Sequence, residues 1–101
     1  MKTGLEIISE ERGRQVAVEK WTAEHDDLHV DSELALAAVT YALPESIHMK
    51  LGGVWVTERE DDFWPFDQKW FKPTPEDRIR ELAKAGALIA AEIDRLLRIK
   101  N

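Results

Sequence analysis

The chain has 101 residues, 44% hydrophobic and 34% charged, a globular composition with room for one domain and one thin core. Cysteine is absent, which excludes disulfides, thiolate nucleophiles and thiolate-held zinc or iron–sulfur centres. A net charge of -6 argues against a nucleic-acid-binding surface, and no apolar run nears the ~18 residues of a membrane span. With no signal-peptide pattern after Met1, the expected location is cytoplasmic.

Thr3 and Glu6 have capping-box spacing and open a first helix, with Leu5, Ile8, Gln15 and Val16 near one face. Gly13 weakens its interior by about 1 kcal/mol. The polar stretch 22–31 interrupts the pattern. Asp31 or Ser32 then caps a second helix over 33–43, with Leu34, Ala38, Tyr41 and Ala42 on one stripe and Pro44 at its end. Residues 47–51 and 54–57 flank Gly52 and Gly53, the pattern of a two-residue hairpin, and an acidic run follows over 58–62.

Thr74 as cap, Pro75 at the first helical position and the acids Glu76 and Asp77 open the last helix, expected to run to about Ile99. Ile79, Leu82, Ala83, Gly86, Ile89, Ala90, Ile93, Leu96 and Leu97 recur along it at three- and four-residue steps. At 1.5 Å per residue this helix is ~37 Å long and must cross the whole domain. The expected fold is mainly α. It is a single three-helix domain with a small β-hairpin insertion over 45–62 and a long C-terminal helix on which copies associate into a homo-oligomer.

Two constellations carry chemistry. Phe63, Trp64, Phe66, Trp70 and Phe71 fall within nine positions, stiffened by two prolines and interleaved with Lys69 and Lys72. Rings beside ammonium groups suit a nucleobase with attached phosphate, and the same rings also suit the covering of a small helical core. Trp21, His25, Asp26, Asp27 and His29 form the second. His25 and His29 stand i, i+4, as metal ligands on a helix must, but Thr22 and Asp31 read as caps of a hydrogen-bonded turn. No metal and no cofactor are expected. Arg12 and Arg14 lie among acids and do not share a helix face.

Joined together, 11–15, 21–27, 64–73 and 85–95 resemble a family of small phage and prophage proteins: Glu-Arg-x-Arg-Gln, Trp-Thr-x-Glu-His-Asp-Asp, Trp-Pro-Phe-Asp-x-x-Trp-Phe-Lys-Pro and Ala-Gly-Ala-Leu-Ile-x-Ala-Glu-Ile-Asp-Arg. The match runs nearly end to end apart from 45–62. Trp21 with Asp26 and Asp27 is more distantly similar to ryanodine-receptor-type (RyR) domains, small helical modules whose bacterial versions are linked to nucleotide-derived ligands, although Lys20 stands where that pattern has glycine. The first resemblance implies a phage-encoded source. With the second, it implies a non-enzymatic binder of a small nucleotide-derived molecule that sequesters a bacterial immune signal. Trp21, Trp64 and Trp70 would stack on the base, Arg12, Arg14, Lys69 and Lys72 meet phosphate, and His25, Asp26 and Asp27 contact the ribose.

Two other functions compete. All-α MazG-like nucleotide pyrophosphohydrolases also open with Glu-Arg-x-Arg-Gln, but their magnesium site needs four carboxylates, and only scattered Glu10, Glu11, Glu33, Glu58 and Asp61 stand here. The acidic run 58–62 alternatively offers a surface for inhibiting a basic host defence protein.

Overall fold

The computed structural model describes residues 1–43, 46–51, 54–58 and 63–100. Helix α1, Gly4–Ala17, begins at the capping box its sequence encodes. Thr3 Oγ1 accepts from the Glu6 amide at 3.2 Å, and Glu6 Oε1 accepts from the Thr3 amide at 3.1 Å. Its inward stripe is half-buried Ile8 with buried Glu11 and Gln15, whereas Leu5 and Val16 are exposed, contrary to expectation. The partner helix explains this. A Cβ on Gly86 would stand 2.7 Å from Ile8 Cδ1, so the two backbones meet closely there, and the Gln15 amide donates to the Lys84 carbonyl at 3.5 Å. A contact that close selects side chains that fit or hydrogen-bond, and Leu5 and Val16 fall outside it.

The polar stretch 22–31, expected as a turn between helices, instead opens with a short additional helix, α2, Ala23–Asp27, which Thr22 caps by accepting from the His25 amide at 3.4 Å. Helix α3, Glu33–Ala42, follows Ser32, whose left-handed φ of 66° and lack of a side-chain cap bond correct the expected serine cap. The Glu33 carboxylate supplies the local bond instead, accepting from the Asp31 amide at 2.6 Å. Leu34, Ala38 and Tyr41 are buried as expected, joined by Ala37 and Thr40, while Ala42 is exposed. Arg78 closes the end of α3: Nη1 donates to the carbonyls of Tyr41 and Leu43, both at 3.1 Å, and Nη2 donates to that of Ala42. The expected terminator, Pro44, lies outside the described residues.

Strands β1, Ser46–Leu51, and β2, Val54–Glu58, pair antiparallel, with Leu51 opposite Val54 and Met49 opposite Val56. The expected Gly52-Gly53 turn and the acidic residues after Glu58 lie outside the described residues. A single 3-10 turn, Gln68–Trp70, capped by Asp67, sits inside the aromatic segment.

Helix α4, Arg78–Lys100, is about 35 Å long at 1.5 Å per residue and spans nearly the longest dimension of 38 Å. It starts three residues later than expected. The Thr74 carbonyl accepts from the Asp77 amide at 2.8 Å to close a turn, and Asp77, not Thr74, caps the helix through the Arg80 amide at 3.1 Å. The larger correction concerns its faces. Ala83, Ala85, Ala87, Leu88 and Ala91 are buried, and Ile79, Leu82, Ile89, Ile93, Leu96 and Leu97 are exposed. Alanines let α1 and α3 approach the α4 axis, which longer side chains prevent.

The core is Leu34, Ala37, Ala38, Tyr41, Ala85, Leu88 and Ala91, with half-buried Trp21, Trp64, Phe66 and Phe71 packed against it. The molecule is thus mainly helical, with the aromatic segment completing an alanine-rich core. Among the described residues no helix is long and apolar enough to cross a membrane.

Candidate functional site

Beside that core lies a cleft of about 500 Å³, a size that suits a small organic molecule. One wall is the approach to α2 and its end: Lys20, Trp21, His25, Leu28 and His29. Phe66, Asp67 and Trp70 from the aromatic segment face them, with Leu34 and Leu88 beneath. Lys20 holds a left-handed φ of 64°. That conformation costs a residue with a Cβ about 1 kcal/mol and turns the chain from α1 into the wall of the cleft.

The rings form one continuous series. Trp21 and His25 are parallel within 8° at 6.0 Å, His25 meets His29 edge-on at 4.7 Å, and His29 meets Phe66 at 4.9 Å. Phe66 continues to Trp64 at 5.6 Å, and Trp64 to Tyr41 at 5.5 Å. A fully buried carboxylate anchors the histidine end. Asp26 Oδ1 lies 3.0 Å from His25 Nδ1, and Asp26 Oδ2 accepts from Arg12 Nη2 at 2.5 Å. Burying a charge is tolerable only when it is paired and hydrogen-bonded, and Asp26 is both.

At the other end, His29 Nδ1 lies 3.2 Å from Glu33 Oε2. Burial pushes the Glu33 carboxyl up, but the Asp31 amide and the His29 imidazole outweigh it and hold the group below the usual carboxylate range.

The residues picked out from the sequence divide sharply. Trp21, His25 and Trp70 line the cleft. Trp64 is half-buried against the core rather than in the cleft, its Nε1 donating to the Asp67 carbonyl at 3.1 Å. Asp26 lies behind His25 as a positioning group. Asp27 points away and accepts from Arg98 Nη2 at 2.7 Å. The two arginines are committed to acids: Arg12 to Asp26, and Arg14 to Glu11 at 2.7 Å and Glu19 at 3.5 Å. The Glu11 hydrogen bond, foremost, raises the Arg14 guanidinium further.

Lys69 and Lys72 flank Trp70, their Nζ atoms 5.5 and 5.8 Å from its ring centre. Lys72 also pairs with Glu19 at 3.2 Å, whereas Lys20 and Lys69 hold no ion pair among the described residues.

Sequence reasoning left Glu19, Lys20, Leu28, His29, Phe66 and Asp67 out of the site. For His29 the signal was its i+4 spacing from His25, and for Phe66 its place among the aromatics. Glu19 and Lys20 carried none, because a turn with positive φ brings them there.

Behind the cleft, Lys84 is buried with its Nζ donating to the Lys72 carbonyl at 2.6 Å and lying 5.4 Å from the Tyr41 ring centre. Burial, with neighbouring Arg80, pushes its ammonium down. Comparison with protein-family models, with curated proteins and with solved structures finds no match in any of the three.

Proposed function

We propose that this chain is a non-enzymatic binding protein for a small nucleotide-derived molecule, which a phage-encoded protein would use to sequester a signal of its host. One observation carries the reading: an apolar, aromatic-walled cleft lined by Lys20 together with Glu19 and Asp67, with Lys69 and Lys72 flanking its Trp70 wall from outside. A planar base would stack against Trp70 or the Trp21–His25 pair, and the lysines would meet its anionic group. Arg12, Arg14 and Lys72 drop out of the anion contacts because Asp26, Glu11 and Glu19 already pair with them, which leaves Lys20 and Lys69 as the lysines for the anionic group.

The pyrophosphohydrolase reading draws less support. Glu10 pairs with Lys2 at 2.8 Å on the surface, Glu11 with Arg14, and Glu33 with His29, so these three carboxylates serve three separate places. Magnesium with a triphosphate needs them converging. Self-association belongs to the proposal as well. Ile79, Leu82, Ile89, Ile93 and Leu96 are exposed on α4 at steps of three, seven, four and three residues, the spacing of a coiled-coil seam.

The test is isothermal titration with a panel of mononucleotides, ADP-ribose-type compounds and cyclic dinucleotides. The expected result is saturable one-site binding of at least one compound, weakened about 5- to 150-fold in Trp70→Ala, the range that loss of one base–aromatic stack implies. Folded protein that gives no heat across the panel overturns the proposal.

A further inference from the structure

The two histidines of the cleft wall pose a hydrogen-bonding problem. His25 Nδ1 faces the Asp26 carboxylate at 3.0 Å, and His29 Nδ1 faces the Glu33 carboxylate at 3.2 Å. An ionised carboxylate only accepts, so each Nδ1 carries a hydrogen, and in a neutral ring Nε2 is then the acceptor. The two Nε2 atoms stand 3.4 Å apart. Two acceptors that close repel unless something positive stands between them.

We propose that His25 and His29 form a binding site for a divalent transition-metal ion of the zinc class. Three observations point the same way. First, a tetrahedral zinc with Zn–N bonds of 2.0–2.1 Å has its ligand nitrogens about 3.3–3.4 Å apart, and the observed separation is 3.4 Å.

Second, both imidazoles already carry the support that metal-ligating histidines require, each Nδ1–H held by a carboxylate that fixes the tautomer and the ring orientation. Asp26 is itself oriented by Arg12 and Glu33 by the Asp31 amide, so neither carboxylate is a loose surface group.

Third, the rings are packed in place between Trp21 and Phe66, which lowers the cost of presenting both nitrogens together. The residue types select the ion class: imidazole suits zinc, copper and nickel, whereas magnesium and calcium seek oxygen.

Among the described residues no group of three or more histidines and carboxylates is placed to hold an ion. The site is therefore a two-imidazole site whose remaining positions face the cleft, open to water or to an anionic ligand. It stands on imidazole geometry alone and does not depend on the nucleotide reading.

Titration of the metal-free protein with Zn²⁺, followed by calorimetry, and with Co²⁺, followed by visible absorption, tests it. One ion per chain is expected, with the intense Co²⁺ bands of a four-coordinate site and no heat from Mg²⁺ or Ca²⁺. His29→Ala and His29→Gln should each remove the bands, and Glu33→Gln should weaken zinc binding about 10- to 100-fold. Changing the third histidine of the chain, His48→Ala, should leave both signals unchanged. Circular dichroism of each variant separates loss of the site from loss of the fold, with His29→Gln preserving most of the side-chain volume. No one-to-one zinc binding, or zinc binding that survives both His29 substitutions in folded protein, overturns the proposal and leaves a shared proton between the rings.

Discussion

Replacing Asp26 by Asn tests the anchor of the cleft. The substitution keeps shape and volume but removes the charge that Arg12 and His25 share. Asp26 is fully buried and the Arg12 side chain is 19% exposed. Breaking a buried pair from one side costs about 3–5 kcal/mol, because the other charge loses its partner. Water reaches part of the Arg12 guanidinium, so the expected loss lies at the lower end, about 3 kcal/mol. For a domain of this size that corresponds to a fall in Tm of about 15 °C.

Urea unfolding followed by tryptophan fluorescence measures it, and a double-mutant cycle with Arg12→Met isolates the pair. A coupling of about 2 kcal/mol or more is expected, since each single variant strands the other's partner. A loss under about 1 kcal/mol for Asp26→Asn, or additive single losses, would refute the reasoning that this ion pair holds the histidine wall in place.

Three further outcomes follow from the same geometry. Trp64→Ala, removing a half-buried ring packed on the core, should cost about 3 kcal/mol, whereas Trp70→Ala, 43% exposed, should cost about 1 kcal/mol or less; equal losses by chemical denaturation would erase the division of the two rings between core side and cleft. Glu33 has its carboxyl held low in the folded chain, so it contributes stability above the ordinary glutamate range and loses it as the pH falls through the folded value. Glu33→Gln should therefore flatten the acid limb of a stability–pH curve, and an unchanged limb would contradict the assignment. Sedimentation velocity should show concentration-dependent association that Ile93→Glu abolishes; a wild-type monomer at every concentration would remove the α4 seam as an interface.

Much of the fold was legible because local chemistry decides it. The Thr3–Glu6 box, the Thr22 cap and the long periodic α4 all depend on neighbours within a turn or two. Side-chain faces were not legible in the same way. On α4 the hydropathy pattern holds two stripes, one of Leu and Ile and one of Ala, and a search for the greasier stripe chooses the wrong one. Alanine wins because α1 and α3 come close to the α4 axis, an inter-helix fact that a single strand of sequence does not display.

The site shows the same division. The aromatic residues and the histidine pair stood out by type and spacing. The fates of Arg12 and Arg14 were settled by acids at other positions, above all by Asp26, fourteen residues from Arg12. Lys20 and Glu19 enter only through a turn whose positive φ no residue type announced.

The claim that the cleft takes a small nucleotide-derived molecule is tested most directly by following the indole N–H resonances of the four tryptophans during nucleotide titration. Trp21 and Trp70, which line the cleft, should shift and saturate together, and Trp64, packed against the core with its Nε1 bonded to the Asp67 carbonyl, should move far less. Saturable binding that shifts Trp64 while leaving Trp21 and Trp70 in place, or no shift of any indole with folded protein, would contradict the account.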